Sequence, residues 1–461
     1  MAPPIHRPAG PAPPAPHGRL LNILGVAFGL AGAVGGTIGG GILRTPGLVA
    51  GELGSDAAVL TAWILGGIYG LLGAVCVAEL GTCLPQSGGW TVYARRAFGP
   101  GAGFLVGWTD WLGHCAGVAW VAITAGDYAL ALLPDLPCDS KGIALLLLLL
   151  FTAIQLLGVR AGGGSQLLLS LAKTLALLLL VAACFLLKHP AAAAAGAPVA
   201  AELAAAAQPL PLAAWVLALQ AIISTYDGWH SPIYFAEEFS QPARDLPRSL
   251  IGGVLAVIAI YVLINLALLR VLPLADLAAS SLPLAAAANR LAGEIGALLI
   301  TALALVSVLG LINTSILSAP RVLYSLARAG LLPAVTGRVN AGGTPWVALL
   351  LTTVAMALLI LCGDFSILLA IASFLYVLLY ASGILALFVL RWREPGLERP
   401  FRAWGHPLSG LIVLAGSLAF LIGALFDDRG HSLAALALVV AALPVYGLSR
   451  LLPAPAAQGM P

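Results

Sequence analysis

Gly35-Gly36-Thr37-Ile38-Gly39-Gly40-Gly41 puts five glycines into seven residues, in the middle of the first long apolar segment of the chain. Glycine lacks a Cβ and is costly inside a helix, so the run predicts a helix that stops and restarts at mid-segment. If that segment crosses a bilayer, the break frees backbone N–H and C=O groups where lipid cannot satisfy them. Such backbone is tolerated only where protein buries it or where it lines a cavity, and broken helices of this kind hold the substrates of secondary transporters. The stretch therefore points to a membrane carrier.

The rest of the chain fits a bilayer. Hydrophobic residues make up 61% and charged residues only 9%, against about 25% charged in a soluble domain, and the mean hydropathy is +1.02. A span needs about 20 apolar residues. Twelve segments qualify: 22–50, 57–84, 98–133, 141–159, 164–187, 212–239, 249–272, 294–326, 345–362, 365–390, 408–426 and 432–452. The expected fold class is an all-α polytopic membrane protein, with one transporter domain over residues 20–452. Residues 1–19, rich in Pro and Ala, read as a disordered tail and not as a signal peptide, and 453–461 as a second tail. The Ala- and Pro-rich stretch from His189 to Pro211 reads as a loop.

Lys and Arg placement sets orientation. With the N-terminus inside, one side collects Arg95, Arg96, Arg160, Arg244, Arg248, Arg328, Arg391 and Arg399, whereas the other has little beyond Lys141, Lys188, Arg270, Arg290 and Arg429. Both termini are expected to be cytoplasmic. The net charge of +3 follows from this bias and gives no reason to expect nucleic-acid binding. The six cysteines show no CxxC or Cys/His spacing, so neither a metal site nor a cofactor is expected. Cys138, in the outward loop Pro134–Lys141, is placed to join a protein partner, but a free thiol on a monomer is the favoured reading.

Five spans after the first break comes a second: Ser224-Thr225-Tyr226-Asp227-Gly228-Trp229-His230-Ser231-Pro232. Interrupted segments at corresponding places in two halves point to a site built on inverted repeats. Repeat one would be residues 20–188, repeat two 212–390, and the helices of 408–452 peripheral, with spans one and six facing each other. At the first break, the N-terminus of the outer half-helix suits a carboxylate and the C-terminus of the inner half-helix suits an ammonium group. One molecule carrying both is an α-amino acid.

At these residues the chain resembles the amino acid, polyamine and organocation (APC) superfamily. The matching stretches are Gly36-Thr37-Ile38-Gly39-Gly40-Gly41-Ile42, Ala78-Glu79-Leu80-Gly81, Ala97-Phe98-Gly99-Pro100, Ala236-Glu237-Glu238, Asp245-Leu246-Pro247-Arg248, Pro320-Arg321-Val322-Leu323-Tyr324 and Arg399-Pro400-Phe401-Arg402. Tyr226-Asp227-Gly228-Trp229 resembles the light-chain subgroup of the L-type amino acid transporters. The resemblance implies a Na⁺-independent carrier, with Lys173 standing where related carriers bind sodium; there it either gives up its proton during the cycle or stays charged and pins helices one and eight through Gly35 and Ser307, a structural lysine reaching to an interface being the alternative. The subgroup has Ser where this chain has Gly40, and an aromatic gate where it has Ser224. The expected substrate site comprises Gly36, Thr37, Gly39, Gly40 and Gly41 with Thr225, Tyr226, Asp227 and Trp229. The carboxylate would take the N–H groups of Gly39 to Gly41, and the amine the carbonyls near Gly35 and Thr225.

Charged groups within spans are costly unless paired or hydrated. Asp227 is expected to meet a substrate cation or to cap the half-helix after it. Asp110 and His114, spaced i and i+4, are expected to pair, with a proton relay as the alternative. Arg44 is read as a structural pair or a carboxylate attractor, and Glu237, Glu238 and Asp245 as an inner latch or a solvated loop. No HExxH, GxSxG elbow or matched catalytic acids occur, so an enzyme is not expected. A non-transporting sensor of the same fold, or a carrier of polyamines or other organocations, are the alternatives. The Arg, Ala and Leu bias suggests a bacterial inner membrane.

Overall fold

The computed structural model describes residues 20–187 and 211–449. Both expected tails and nearly all of the Ala- and Pro-rich loop lie outside the described residues. The first segment divides at its glycines into α1 (Val26–Thr37) and α2 (Gly41–Leu53), bent by 50°. Ser55 then opens α3 (Asp56–Cys83) by accepting the Ala58 N–H at 3.2 Å, a side-chain cap for an orphan donor.

Gly99-Pro100 marks a boundary the sequence reading placed slightly early. Proline has no N–H to give and suits only the first turn of a helix. A short helix, α4 (Trp90–Phe98), therefore ends there and α5 (Pro100–Leu132) begins. α6 (Ser140–Leu156), capped by Asp139, and α7 (Val159–Leu186) follow.

The second break is more irregular than the first. α8 (Leu212–Thr225) ends in turns through Tyr226 to His230, and the chain resumes as a 3-10 helix over Ser231–Glu238. α9 (Pro242–Val271) and α10 (Leu274–Ala279) lead into α11 (Pro283–Arg328), which is kinked at Gly293. It starts well before the expected position 294, because Gly293 bends the helix without ending it. α12 (Trp346–Cys362), α13 (Phe365–Arg393), α14 (Leu408–Asp427), α15 (Arg429–Val440) and α16 (Ala442–Ser449) complete the chain.

Among the described residues, eight helices are long and apolar enough to cross a membrane, nine if the bent α1–α2 pair is one span. α6, α8 and α12 are shorter apolar helices. Among the described residues no strand forms; a β-bridge joins Leu24 to Phe239 and ties the start of α1 to the end of the second break. Outward faces carry exposed leucines, such as Leu168, Leu171, Leu175 and Leu179 on α7 and Leu351, Leu358 and Leu361 on α12. Exposed apolar area on this scale is stable only against lipid. α1 packs on α7 and α9, α2 on α8, and α5 on α11 and α13, so both breaks sit at the centre of the molecule.

Candidate functional site

The two breaks touch through their glycines. A Cβ on Gly36 would lie 2.6 Å from the Gly228 carbonyl oxygen, and one on Gly228 would lie 2.1 Å from the Gly36 oxygen. Gly228 also has φ +104°, where L side chains are strained. Hydroxyls then cross-link the two elements. Tyr261 on α9 donates to the Thr37 carbonyl (3.1 Å) and is also 3.2 Å from the Thr225 carbonyl. The hydroxyls of Thr45 and Thr225 share a bond of 2.7 Å.

A polar stripe on α7 holds the first break from behind. Lys173, fully buried, donates to the carbonyls of Gly35 (2.7 Å) and Ile38 (2.6 Å), the acceptors exposed where α1 ends. One and two turns earlier, Ser170 donates to Ala31 (2.8 Å), and Gln166 accepts from Asn313 of α11 (2.9 Å). The expected bond between Lys173 and Gly35 is present. Its second partner is the Ile38 carbonyl of the same break and not Ser307.

In front of the breaks lies a cavity of about 380 Å³. Gly36, Thr37, Gly39, Gly40, Gly41, Thr225 and Asp227 all line it, joined by His114, Thr124 and Tyr128 of α5, Leu311 and Thr314 of α11, and Phe365, Ser373 and Tyr376 of α13. A Cβ at Gly40 would meet nothing within 4 Å. Gly39 and Gly40 lie between the helices, and no N–H of either donates to a protein group. At the start of α2 the Leu43 N–H turns back to the Gly40 carbonyl at 3.2 Å, whereas helix geometry gives the N–H groups of Gly41 and Ile42 no intrahelical acceptor. Arg44 and Tyr128 both line the cavity, and Arg44 is exposed.

Other expected residues are placed differently. Tyr226 and Trp229 are buried on the far side of the break: the Tyr226 hydroxyl bonds the Trp63 carbonyl (3.2 Å), and Trp229 stacks on Tyr380 at 5.7 Å. They line a separate void of about 20 Å³ and not the main cavity, while Asp227 between them borders both. Gly35, Lys173 and Ser307 also lie outside the lining. The carbonyls proposed to meet an amine, those of Gly35 and Thr225, already accept from Lys173 and Tyr261. Asp227 is not a helix cap, since His230 holds that place in the 3-10 helix; its buried Oδ1 has no hydrogen bond and lies 3.9 Å from His230 Nδ1.

Asp110 and His114 do pair, at 3.1 Å, with Asp110 Oδ1 also accepting from the Tyr234 hydroxyl at 2.8 Å. The end of the molecule that carries the arginine-rich loops is shut. Arg321 meets Glu238 at 2.5 and 2.9 Å with its guanidinium 4.3 Å over the Phe235 ring, and Phe28 packs on Phe235. Glu79 accepts from Arg391 (2.5 Å), Arg399 (3.1 Å) and the Ala403 N–H (2.7 Å). The cavity lining runs the other way, toward the C-terminal ends of α2 and α5 and the first turns of α13.

Tyr261, Gln166, Ser170 and Thr45 were missed by sequence reasoning. Gln166, Ser170 and Lys173 share one helical face, a spacing legible in the sequence; Tyr261 carries no such signal.

A chain of broken, membrane-capable helices around a polar central cavity has the build of a membrane transporter. The amino acid permease family model matches residues 20–446, and the chain belongs to that family, within the APC superfamily. It is 29% identical over 435 residues to the serine/threonine exchanger SteT of Bacillus subtilis, covering 93% of this chain and 96% of that relative. It is 30% identical over 421 residues to the large neutral amino acids transporter small subunit 2 of Mus musculus, covering 90% of this chain and 78% of the relative. To the Asc-type amino acid transporter 1 of Mus musculus it is 31% identical over 385 residues, 80% and 70% of the two chains. These relatives bear out the resemblance to the L-type light-chain group. The chain is a multi-pass membrane protein of a transporter family.

Proposed function

We propose that this protein is a Na⁺-independent secondary transporter of L-amino acids, working by alternating access as an exchanger or a proton symporter. The observation that carries this reading is the pair of breaks facing one cavity, with free N–H groups at Gly39 and Gly40 and, at Asp227, an acceptor oxygen that takes no hydrogen bond. A zwitterion fits between them: carboxylate on the Gly39 to Gly41 N–H groups, ammonium toward Asp227, side chain toward α5, α11 and α13. Counting α6, α8 and α12 as spans gives twelve, arranged as two inverted repeats over residues 20–188 and 212–390 with the helices of 408–452 outside them. Both termini would then be cytoplasmic, in a bacterial inner membrane, and the chain would act as a monomer.

The arrangement corresponds to an outward-facing state, closed on the cytoplasmic side by Arg321 and Glu238. Lys173 replaces a bound sodium by neutralising the carbonyls of the first break. The test is uptake by proteoliposomes of neutral, cationic and acidic L-amino acids, in sodium-free buffer, with and without the same amino acid inside. Uptake of at least one substrate class that preloading stimulates is the expected result. Binding of amino acids without any flux would overturn the carrier reading in favour of a sensor, and a requirement for sodium would remove the role given to Lys173.

A further inference from the structure

The molecule buries a second ionisable group within reach of the cavity, apart from the breaks. On α5, Asp110 is fully buried, and among the described residues its counter-charge is the imidazole one turn away: His114 Nδ1 lies 3.1 Å from Asp110 Oδ1 and 3.0 Å from the Asp110 backbone carbonyl. Asp110 Oδ1 accepts from Tyr234, and Oδ2 has no partner. His114 lines the cavity, whereas Asp110 lies behind it.

Among the described residues, the surrounding elements bring no Lys or Arg to the pair. The second break presents Asp227, His230 and Tyr234; His230 Nδ1 lies 3.0 Å from the Tyr380 hydroxyl and 3.9 Å from Asp227 Oδ1. α13 presents Tyr376, whose ring is 5.7 Å from His114. Arg321 of α11 is engaged by Glu238, and Lys141 of α6 by the carbonyls of Leu361 and Gly363 at the far end. Next to His114 on α5 is the buried thiol of Cys115.

We propose that the Asp110–His114 pair is the site where this carrier binds a coupling proton, so that uptake follows a proton gradient through α5. This rests on the transport reading above. With one proton shared between them the pair is neutral. Without it, a carboxylate stands in the membrane interior with no counter-charge, a state that needs water nearby. While the cavity is open, water reaches His114 and the proton is taken from it onto the imidazole; occlusion strips that water and so favours the proton-bound, neutral pair. When the opposite side opens, the same proton leaves His114 to water there. Lys173 is not placed for this exchange: it is sealed behind α1, with both carbonyls of the break on its ammonium group.

The experiment uses the full chain in proteoliposomes with radiolabelled L-serine, L-leucine and L-arginine, each assayed alone. Two fluxes are read: exchange at equal pH, and accumulation under an inward proton gradient. One proton per substrate and a gradient of one pH unit give up to about tenfold accumulation. In Asp110→Asn and His114→Gln, accumulation should collapse to the no-gradient level relative to exchange. In Lys173→Met both fluxes should fall together. The proposal is overturned if wild-type accumulation ignores the gradient, if both α5 variants keep the wild-type ratio, or if Lys173→Met alone loses gradient dependence while exchanging. Should Asp110→Asn fail to fold, Tyr234→Phe must shift the pH midpoint of gradient-driven uptake, and an unmoved midpoint overturns the proposal. Absence of exchange in the wild type would instead sink the transport reading itself.

Discussion

Gly36 and Gly40 stand four residues apart in the same break, yet their surroundings predict opposite outcomes. A methyl at Gly36 would collide with the Gly228 carbonyl at 2.6 Å, backbone against side chain, so the two breaks must separate. Gly36→Ala should abolish substrate binding, measured by scintillation proximity or calorimetry. Gly40 faces open cavity, so Gly40→Ser should fold normally and leave affinity intact or raise it, because a hydroxyl there gains a carboxylate partner. Equal loss in both variants would remove Gly40 from the anion site. Lys173→Met strips two buried carbonyls of their donor, at about 1–3 kcal/mol each. Its melting temperature in detergent should fall by several degrees, and an unchanged melt would show that water replaces the ammonium group.

At the level of elements, the breaks are held from opposite sides, by α7 through Lys173, Ser170 and Gln166 and by α9 through Tyr261. The Arg321–Glu238 pair closes the arginine-rich end over Phe235. Glu238→Gln leaves a buried guanidinium without its counter-charge, a loss of about 3–5 kcal/mol when a buried pair is broken. The closed end should then open more often, read as faster maleimide labelling of Phe28→Cys in the Glu238→Gln background; equal rates would exclude the pair as a latch. The places of α1, α2 and α8 were legible because glycine and polar residues interrupt apolar runs. The facing directions of Tyr226 and Trp229 were not. A turn without helical period gives no rule for which side chain meets the cavity, and the two aromatics were drawn instead into packing with Trp63 and Tyr380. The kink at Gly293 was equally hidden, since a single glycine can end a helix or only bend it.

For the whole molecule, the apolar outer faces of α7 and α12 and the polar interior were legible from composition alone, whereas the bond network joining distant segments was not. Orientation remains a proposal with a direct check. Cys138 and Cys362 are exposed at the end opposite the arginine-rich loops, whereas Cys76, Cys115 and Cys184 are buried. A membrane-impermeant maleimide applied to intact cells should label Cys138 and Cys362 and spare the buried three; labelling only after cell rupture would invert the topology. The Lys173 bonds to Gly35 and Ile38 carry a last consequence. An ion held in a pocket comes and goes with its concentration outside, but an ammonium group on a side chain cannot be diluted or exchanged. The first break therefore keeps both carbonyls on a charge the protein carries itself, so its shape should not follow the sodium concentration outside.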